Sequence, residues 1–215
     1  LRPETWRQPF DSFNDAVEKL REQQAPSARY KKNLTSIAEI KRLIRRMKED
    51  VNTHKLFSKP NLNVKQKRLV IAYVSFTLLL DVTMRNDCNS IKFARTTAKS
   101  DKKGNWFVLS TGLLQLNQFK TARSFRRRGM LPLYIKVKPA TLKVLRLLTQ
   151  NHENRDWLFS LNKKQMTKSQ HSTILTGHSF RYLGVRLGVN MLRHLVLSEF
   201  ERGNPTLKER KAQMK

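Results

Sequence analysis

Cysteine, acid and long apolar runs are all scarce in this chain of 215 residues. The single cysteine, Cys88, excludes an internal disulfide framework and a cysteine-based zinc site. One free thiol fits a reducing, intracellular setting. The longest apolar run, LVIAYVSFTLLLDV (Leu69 to Val82), is shorter than the ~20 residues that span a bilayer, so it reads as a buried core helix. Also missing are a P-loop, a glycine-rich dinucleotide fingerprint and an HExxH zinc motif. The five histidines, His54, His152, His171, His178 and His194, show no metal-ligand spacing on a shared helix. His171 and His178, seven apart, would align on a helix, but one pair is a weak metal signal. Acids number 16, too sparse for the clustered carboxylates of a two-metal nuclease; Asp81 and Asp87 flank Arg85 without a third. No metal or other cofactor is expected.

What the chain has is positive charge. Lysine and arginine number 44, for a formal net charge of +28. A fold gains nothing from such an excess and pays in self-repulsion, so a polyanionic partner is implied. Nucleic acid comes first and an anionic membrane surface second. A basic ribosomal or packaging protein is the plainest form of the first reading. Basic clusters are spread along the chain, which points to a grooved binding surface, not a detachable tail. The start, LRPETWRQPF, lacks the apolar stretch of a signal peptide and an initiator methionine, and reads as a piece of a longer chain.

Periodicity predicts a short helix over 11–24, a linker over 25–33, and then a helix opened by the capping box Ser36…Glu39. Ile37, Ile40, Leu43, Ile44, Met47 and Val51 form its apolar stripe. Its polar side carries Arg45 and Arg46, candidate DNA contacts. SKPNLN breaks the helix. A buried helix follows from Val64 to about Thr83, ended by RNDCNS. SIKFA, NWFVLS, LLQLNQF and MLPLYIKV then read as a small antiparallel meander, the last an edge strand because of its proline. The intervening TARSFRRRG reads as a basic loop. Its Arg123, Arg126, Arg127 and Arg128 suit sequence-independent phosphate contacts. Pro139 opens a helix with Leu142, Leu145 and Leu148, WLFS is short and apolar, and further helices cover Ser169 to about Gly184, Gly188 to Phe200, and the stretch from Asn204. The fold class is α+β, mainly helical.

Three places carry candidate chemistry. Arg85, in TMRNDCNSI, ends the buried helix; it either meets free helix carbonyls or points at a phosphate. Lys120, in LNQFKTARSF, is either a solvated strand-end lysine or a proton donor reaching a DNA groove. In GVNMLRHLVLSEF, Asn190 and Arg193 share a helical face with apolar residues. A guanidinium on such a face needs an anion, and no acid lies within one turn on that side. His194, on another side, is either a packed helix residue or one more DNA contact.

The order of these three elements resembles the catalytic domain of tyrosine recombinases, the phage-type integrases, in particular those of eukaryotic viruses and large DNA transposons. VTMRNDCNSIKF is similar to the family's first-arginine element, LNQFKTARSF to its hairpin-lysine element, and GVNMLRHLVLSEF to its second-arginine element. The resemblance covers about Leu34 to Lys215, leaving 1–33 as a linker or the end of an N-terminal DNA-binding domain. It implies DNA cleavage and rejoining through a 3′-phosphotyrosine, without metal or ATP. Arg85 and Arg193 would clamp the phosphate, Lys120 would act as general acid, and Asn190 would assist. It implies a homotetramer on double-stranded DNA and work inside the cell, in the nucleus of a eukaryotic host. Two departures stand out. Asn190 occupies the place of the family's histidine. Tyr30, Tyr73, Tyr134 and Tyr182 all precede Arg193, so the nucleophilic tyrosine is expected beyond Lys215. A type IB topoisomerase shares this chemistry, and a non-catalytic basic DNA- or RNA-binding protein shares the charge.

Overall fold

The computed structural model describes residues 32–33, 35–85, 88–97, 103–150, 156–161 and 164–203. The helices expected over 11–24 and from Asn204, and nearly all of the 25–33 linker, lie outside them. The main unit begins at Thr35.

Helix α1 (Ile37–Thr53) opens on the expected capping box. The Glu39 N–H donates to Ser36 Oγ, and the Ser36 N–H donates to the Glu39 carboxylate, each at 3.1 Å. Ile40, Leu43, Met47 and Val51 are buried, with Ile37 and Ile44 half-buried beside them. Helix α2 (Val64–Asp81) has almost no polar side along its second half. Every residue from Val70 to Phe76 is buried, as are Leu78 and Leu79. A helix apolar all round must be enclosed. Four others do this: α1, α4 (Pro139–Gln150), α5 (Lys168–Leu183) and α6 (Val189–Arg202) all pack on α2.

After α2, a 3₁₀ turn at Cys88–Ser90 leads into a four-stranded sheet of β1 (Ile91–Ala94), β2 (Asn105–Val108), β3 (Leu113–Leu116) and β4 (Leu133–Lys136), in that spatial order. The four expected strands all form, and β4 is at the edge. The meander, however, is not wholly antiparallel: β1 pairs with β2 in parallel, Ile91 beside Asn105. The chain between them returns to the same end of the sheet, where a hairpin would have reversed it. WLFS also does more than fill space. Phe93 N–H donates to Asp156 O and Leu158 N–H to Ile91 O, so this segment lines the free side of β1. Lys92 lies 5.1 Å from the Trp106 ring and 5.9 Å from the Trp157 ring, a cation held between two indoles. A second correction concerns TARSFRRRG. It contains a short helix, α3 (Ala122–Arg127), not a loop. Ala122 is buried under it, and Phe125 packs edge-on against Phe119 at 5.4 Å. Two residues, Ser160–Leu161 and Lys164–Gln165, form each strand of a minor hairpin, β5 and β6.

Asp81 joins the sheet to the helices. Its carboxylate accepts the Lys138 backbone N–H at 2.7 Å and lies 3.4 Å from the Lys138 ammonium. It thus caps the start of α4 from the end of α2, where the helix dipole favours an anion.

The histidine pair expected to align on one helix does so on α5, but the two have separate surroundings. His171 is fully buried. Its Nε2 is 2.9 Å from Ser75 Oγ on α2, and its Nδ1 is 3.6 Å from Cys88 Sγ. Burial pushes its pKa down to about 4, so the folded ring is neutral at pH 7. The unfolded ring protonates near pH 6.5, the folded ring only near 4. Stability is therefore full above the unfolded value and declines as pH falls from 6.5 towards 4, by about 3 kcal/mol at most. Urea unfolding at pH 7.5 and 4.5 reads this directly. His171→Leu should flatten that part of the profile; an equally steep profile in the variant would overturn the assignment.

Candidate nucleic-acid interface

The end of α2 presents Arg85. Val82 N–H still donates to Leu78 O, closing the helix, and Arg85 stands exposed three residues later. It has no hydrogen bond or ion pair to a described residue, so it is not capping helix carbonyls. Asp81, the nearest described acid along the chain, is occupied by Lys138.

Arg193 sits on α6. The core side of this helix carries Val189 and Leu192, both buried, with Leu195 and Val196 packed beside them. Arg193 flanks that side and is half-buried; Asn190 and His194 are exposed. The guanidinium has no acid or carbonyl partner among the described residues. Its methylenes can lie on the apolar border while its charged end reaches outward.

A groove brings α6 to the end of α2. It is lined by Leu80 and Asp81 of α2, Val196, Glu199 and Phe200 of α6, and Ile37, Lys41 and Ile44 of α1. Arg85 follows this junction by four residues, and Arg193 precedes Val196 by one helical turn. Both arginines are thus near the groove residues in sequence, but neither lines the groove.

Lys120 is placed by the sheet. Strand register sets Ile91, Asn105, Leu116 and Leu133 at one level, and Ala94, Val108, Leu113 and Lys136 at the other. Lys138 and Asp81 meet beyond the second level. Lys120 follows the first. It is exposed, in the turn that starts α3, and not within a strand. Arg85 lies on the segment that runs from Asp81 to Ile91, and so towards the Lys120 end. The levels are separated by three residue steps, about 10 Å. Helix packing sets α6 against α2, while Lys120 is placed by the sheet.

Two asparagines hold the exit of β3. Asn105, buried to 3% exposure, accepts the N–H of Asn117 at 2.9 Å and of Gln118 at 2.8 Å through Oδ1. Its Nδ2 donates to Gln118 O at 2.6 Å, and Asn117 Nδ2 donates to Gly104 O at 2.7 Å. The segment leading to Lys120 is thus tied to the start of β2. Sequence reasoning missed this clamp. The only hint was an asparagine on a strand otherwise made of large apolar residues.

Arg123, Arg126, Arg127 and Arg128 are all exposed on or next to α3. Arg45 and Arg46 are exposed on α1, where Arg46 Nη1 donates to Tyr182 O at 3.2 Å. Arg46 therefore has a structural partner as well as solvent access. Of the tyrosines, Tyr73 is buried and Tyr182 donates its hydroxyl to Asp50, while Tyr134 is 60% exposed on the edge strand. No group of three His, Cys, Asp or Glu side chains able to hold a metal occurs among the described residues.

Two outcomes follow. Asn105→Leu strands the Asn117 and Gln118 N–H groups and should cost about 2–4 kcal/mol. Amide exchange should rise at those two positions before the rest of the sheet; uniform exchange would contradict the clamp. Changing Arg126, Arg127 and Arg128 to Gln should lower the slope of log affinity for duplex DNA against log salt by about 2 to 3. An unchanged slope would remove α3 from the interface. In comparisons with known proteins, no family model matches the chain, and no curated protein or solved structure matches it.

Proposed function

We propose that this chain is the catalytic domain of a tyrosine recombinase or integrase, which breaks and rejoins DNA through a 3′-phosphotyrosine link. The observation that carries the reading is Arg193. It is half-buried beside an apolar surface and has no anion among the described residues. Arg85 is exposed and likewise has no partner among the described residues. Half-burying a permanent cation has an evident use if a phosphate supplies the missing charge. Arginine forks fit phosphate oxygens, and preorganised donors act where charge builds on them in the pentavalent transition state.

In this reading, a tyrosine oxygen attacks the phosphorus and the 5′ oxygen leaves. Lys120 gives the departing oxygen its proton. The phosphodiester energy is kept in the phosphotyrosine bond, so ATP is not required. A 5′-hydroxyl of a second duplex reverses the step. Strand exchange of this kind calls for two duplexes and a homotetramer. Asn190, exposed one turn before Arg193, can donate to a phosphate oxygen but cannot transfer a proton.

A nicked suicide duplex tests the reading on the natural chain that contains these residues. A covalent protein–DNA adduct should form. Arg85→Ala and Arg193→Ala should each reduce its rate by about 10²–10³-fold, while DNA affinity falls only severalfold. Lys120→Ala should lose a comparable factor but recover when the bridging 5′ oxygen is replaced by sulfur, which leaves without protonation. Absence of any adduct would sink the enzymatic reading. Asn190, in place of a proton-transferring side chain, favours the second reading of a non-catalytic DNA-binding protein. That reading expects all three substitutions to weaken binding alone. Relaxation of supercoils by single molecules, without paired-site exchange, would instead indicate topoisomerase activity.

A further inference from the structure

The opposite end of α2 carries a second concentration of charge. Between the first turns of α2 and the exposed side of α5 lies a cleft of about 450 Å³. Lys65 and Arg68 reach it from α2, and His178 and Arg181 from α5; the described lining contains no acid. The antiparallel packing of the two helices explains the meeting. His171, early in α5, touches Ser75, so positions later in α5 fall beside earlier positions of α2. Lys65, Arg68 and Arg181 are exposed, and none has an ion pair with a described residue.

His178 gives an independent indication. Its Nδ1 is buried without a hydrogen-bond partner. The ring stacks on Tyr182 with centroids 6.5 Å apart. Its basicity is lowered by burial first, then by the positive charges of Arg181 and Arg68. Both guanidiniums therefore act on one spot from two different helices. The first turn of α2 holds no acid, although the positive end of its dipole favours one. Cations placed there repel the helix end and each other, a cost that a bound anion reverses.

We infer that this cleft is a phosphate-binding site, at the end of α2 opposite Asp81. Two guanidiniums and an ammonium suit the several oxygens and multiple charge of a phosphate better than a single carboxylate. The hydroxyls of Ser169 and Thr173 also line the cleft and can donate to it. From Lys65 to Asp81 the helix rises about 24 Å, so one phosphate cannot serve both places. The ligand is either a free phosphate compound or the backbone of bound DNA. In the second case, the cleft adds backbone contacts to those made elsewhere on the surface. The inference stands whether or not the chain is a recombinase.

Inorganic pyrophosphate and a short duplex separate the two sources. They would be titrated into the 215-residue chain, Arg68→Gln/Arg181→Gln, and Thr173→Glu, which places a carboxylate in the cleft. These positions are exposed, so native melting temperatures are expected. If the site takes free phosphate compounds, pyrophosphate binds saturably and loses about tenfold or more in affinity in both variants. If it takes backbone phosphate, the salt slope for the duplex falls by about 2 in the double variant. In that case Thr173→Glu weakens duplex binding at low salt. Either result supports the site and assigns its source. Should pyrophosphate fail to bind saturably, or bind all three proteins alike, and the salt slope stay unchanged, the inference is overturned. A variant that fails to fold is set aside, and the other decides by the same readouts.

Discussion

The enclosure of α2 is the constraint on which the rest of the fold depends. Its residues from Val70 to Phe76 are buried without interruption, so no side of that stretch is left for solvent. Four helices pack around it. α6 brings Val196 and Glu199 to the end marked by Asp81, and α5 brings Arg181 to the end marked by Lys65. Within the buried stretch, the Ser75 hydroxyl is matched by His171. An apolar axis with a cationic cluster at its Lys65 end is the architecture that results.

The excess of cations shapes the surface in the complementary way. Among the described residues, ion pairs to acids are few: Lys138 with Asp81, and Arg202 with Glu199. Only the first has a clear structural effect, because the Asp81 side chain is largely covered and also accepts a backbone N–H. The second is an exposed pair within one helical turn, worth little. Neither pair involves Arg85 or Arg193, nor Lys65, Arg68 or Arg181 at the cleft. Their mutual repulsion weakens with salt, as would their attraction for a polyanion. The same screening would act on the folded chain and on its complex in opposite directions.

Much of this was legible in the residues. The Ser36–Glu39 box and the stripe from Ile40 to Val51 mark α1, because helix starts and amphipathic periods are local signals. The apolar run Leu69 to Val82 marks α2 as enclosed. The four strands were also legible; the parallel pairing of β1 with β2 was not, since pairing direction depends on the path between strands and not on their own pattern. TARSFRRRG misled in another way. Its basic residues suggest a solvated loop, but Ala122 and Phe125 give one short turn of helix enough apolar contact to form. The Asn105 clamp and the α2–α5 cleft were hidden for a common reason. Both join residues far apart in sequence, and no periodicity within either segment announces the partner.

Arg193 shows how a local pattern and a tertiary environment can answer different halves of one question. The helical pattern predicts a cation beside apolar neighbours; the fold shows it at the border of that surface, half-covered and without a described partner. Full burial would demand a permanent counter-ion within the protein and leave nothing for a ligand. Full exposure would leave the guanidinium strongly hydrated, with water to be removed before any anion could bind. The intermediate position avoids both. Its methylenes gain apolar contact, and its end group keeps access to a ligand at reduced cost of dehydration. Asn190, one turn earlier and exposed, adds donors without adding repulsion to a surface already rich in charge. Substituting histidine there would introduce a titratable group, and with it a dependence on pH that asparagine does not have.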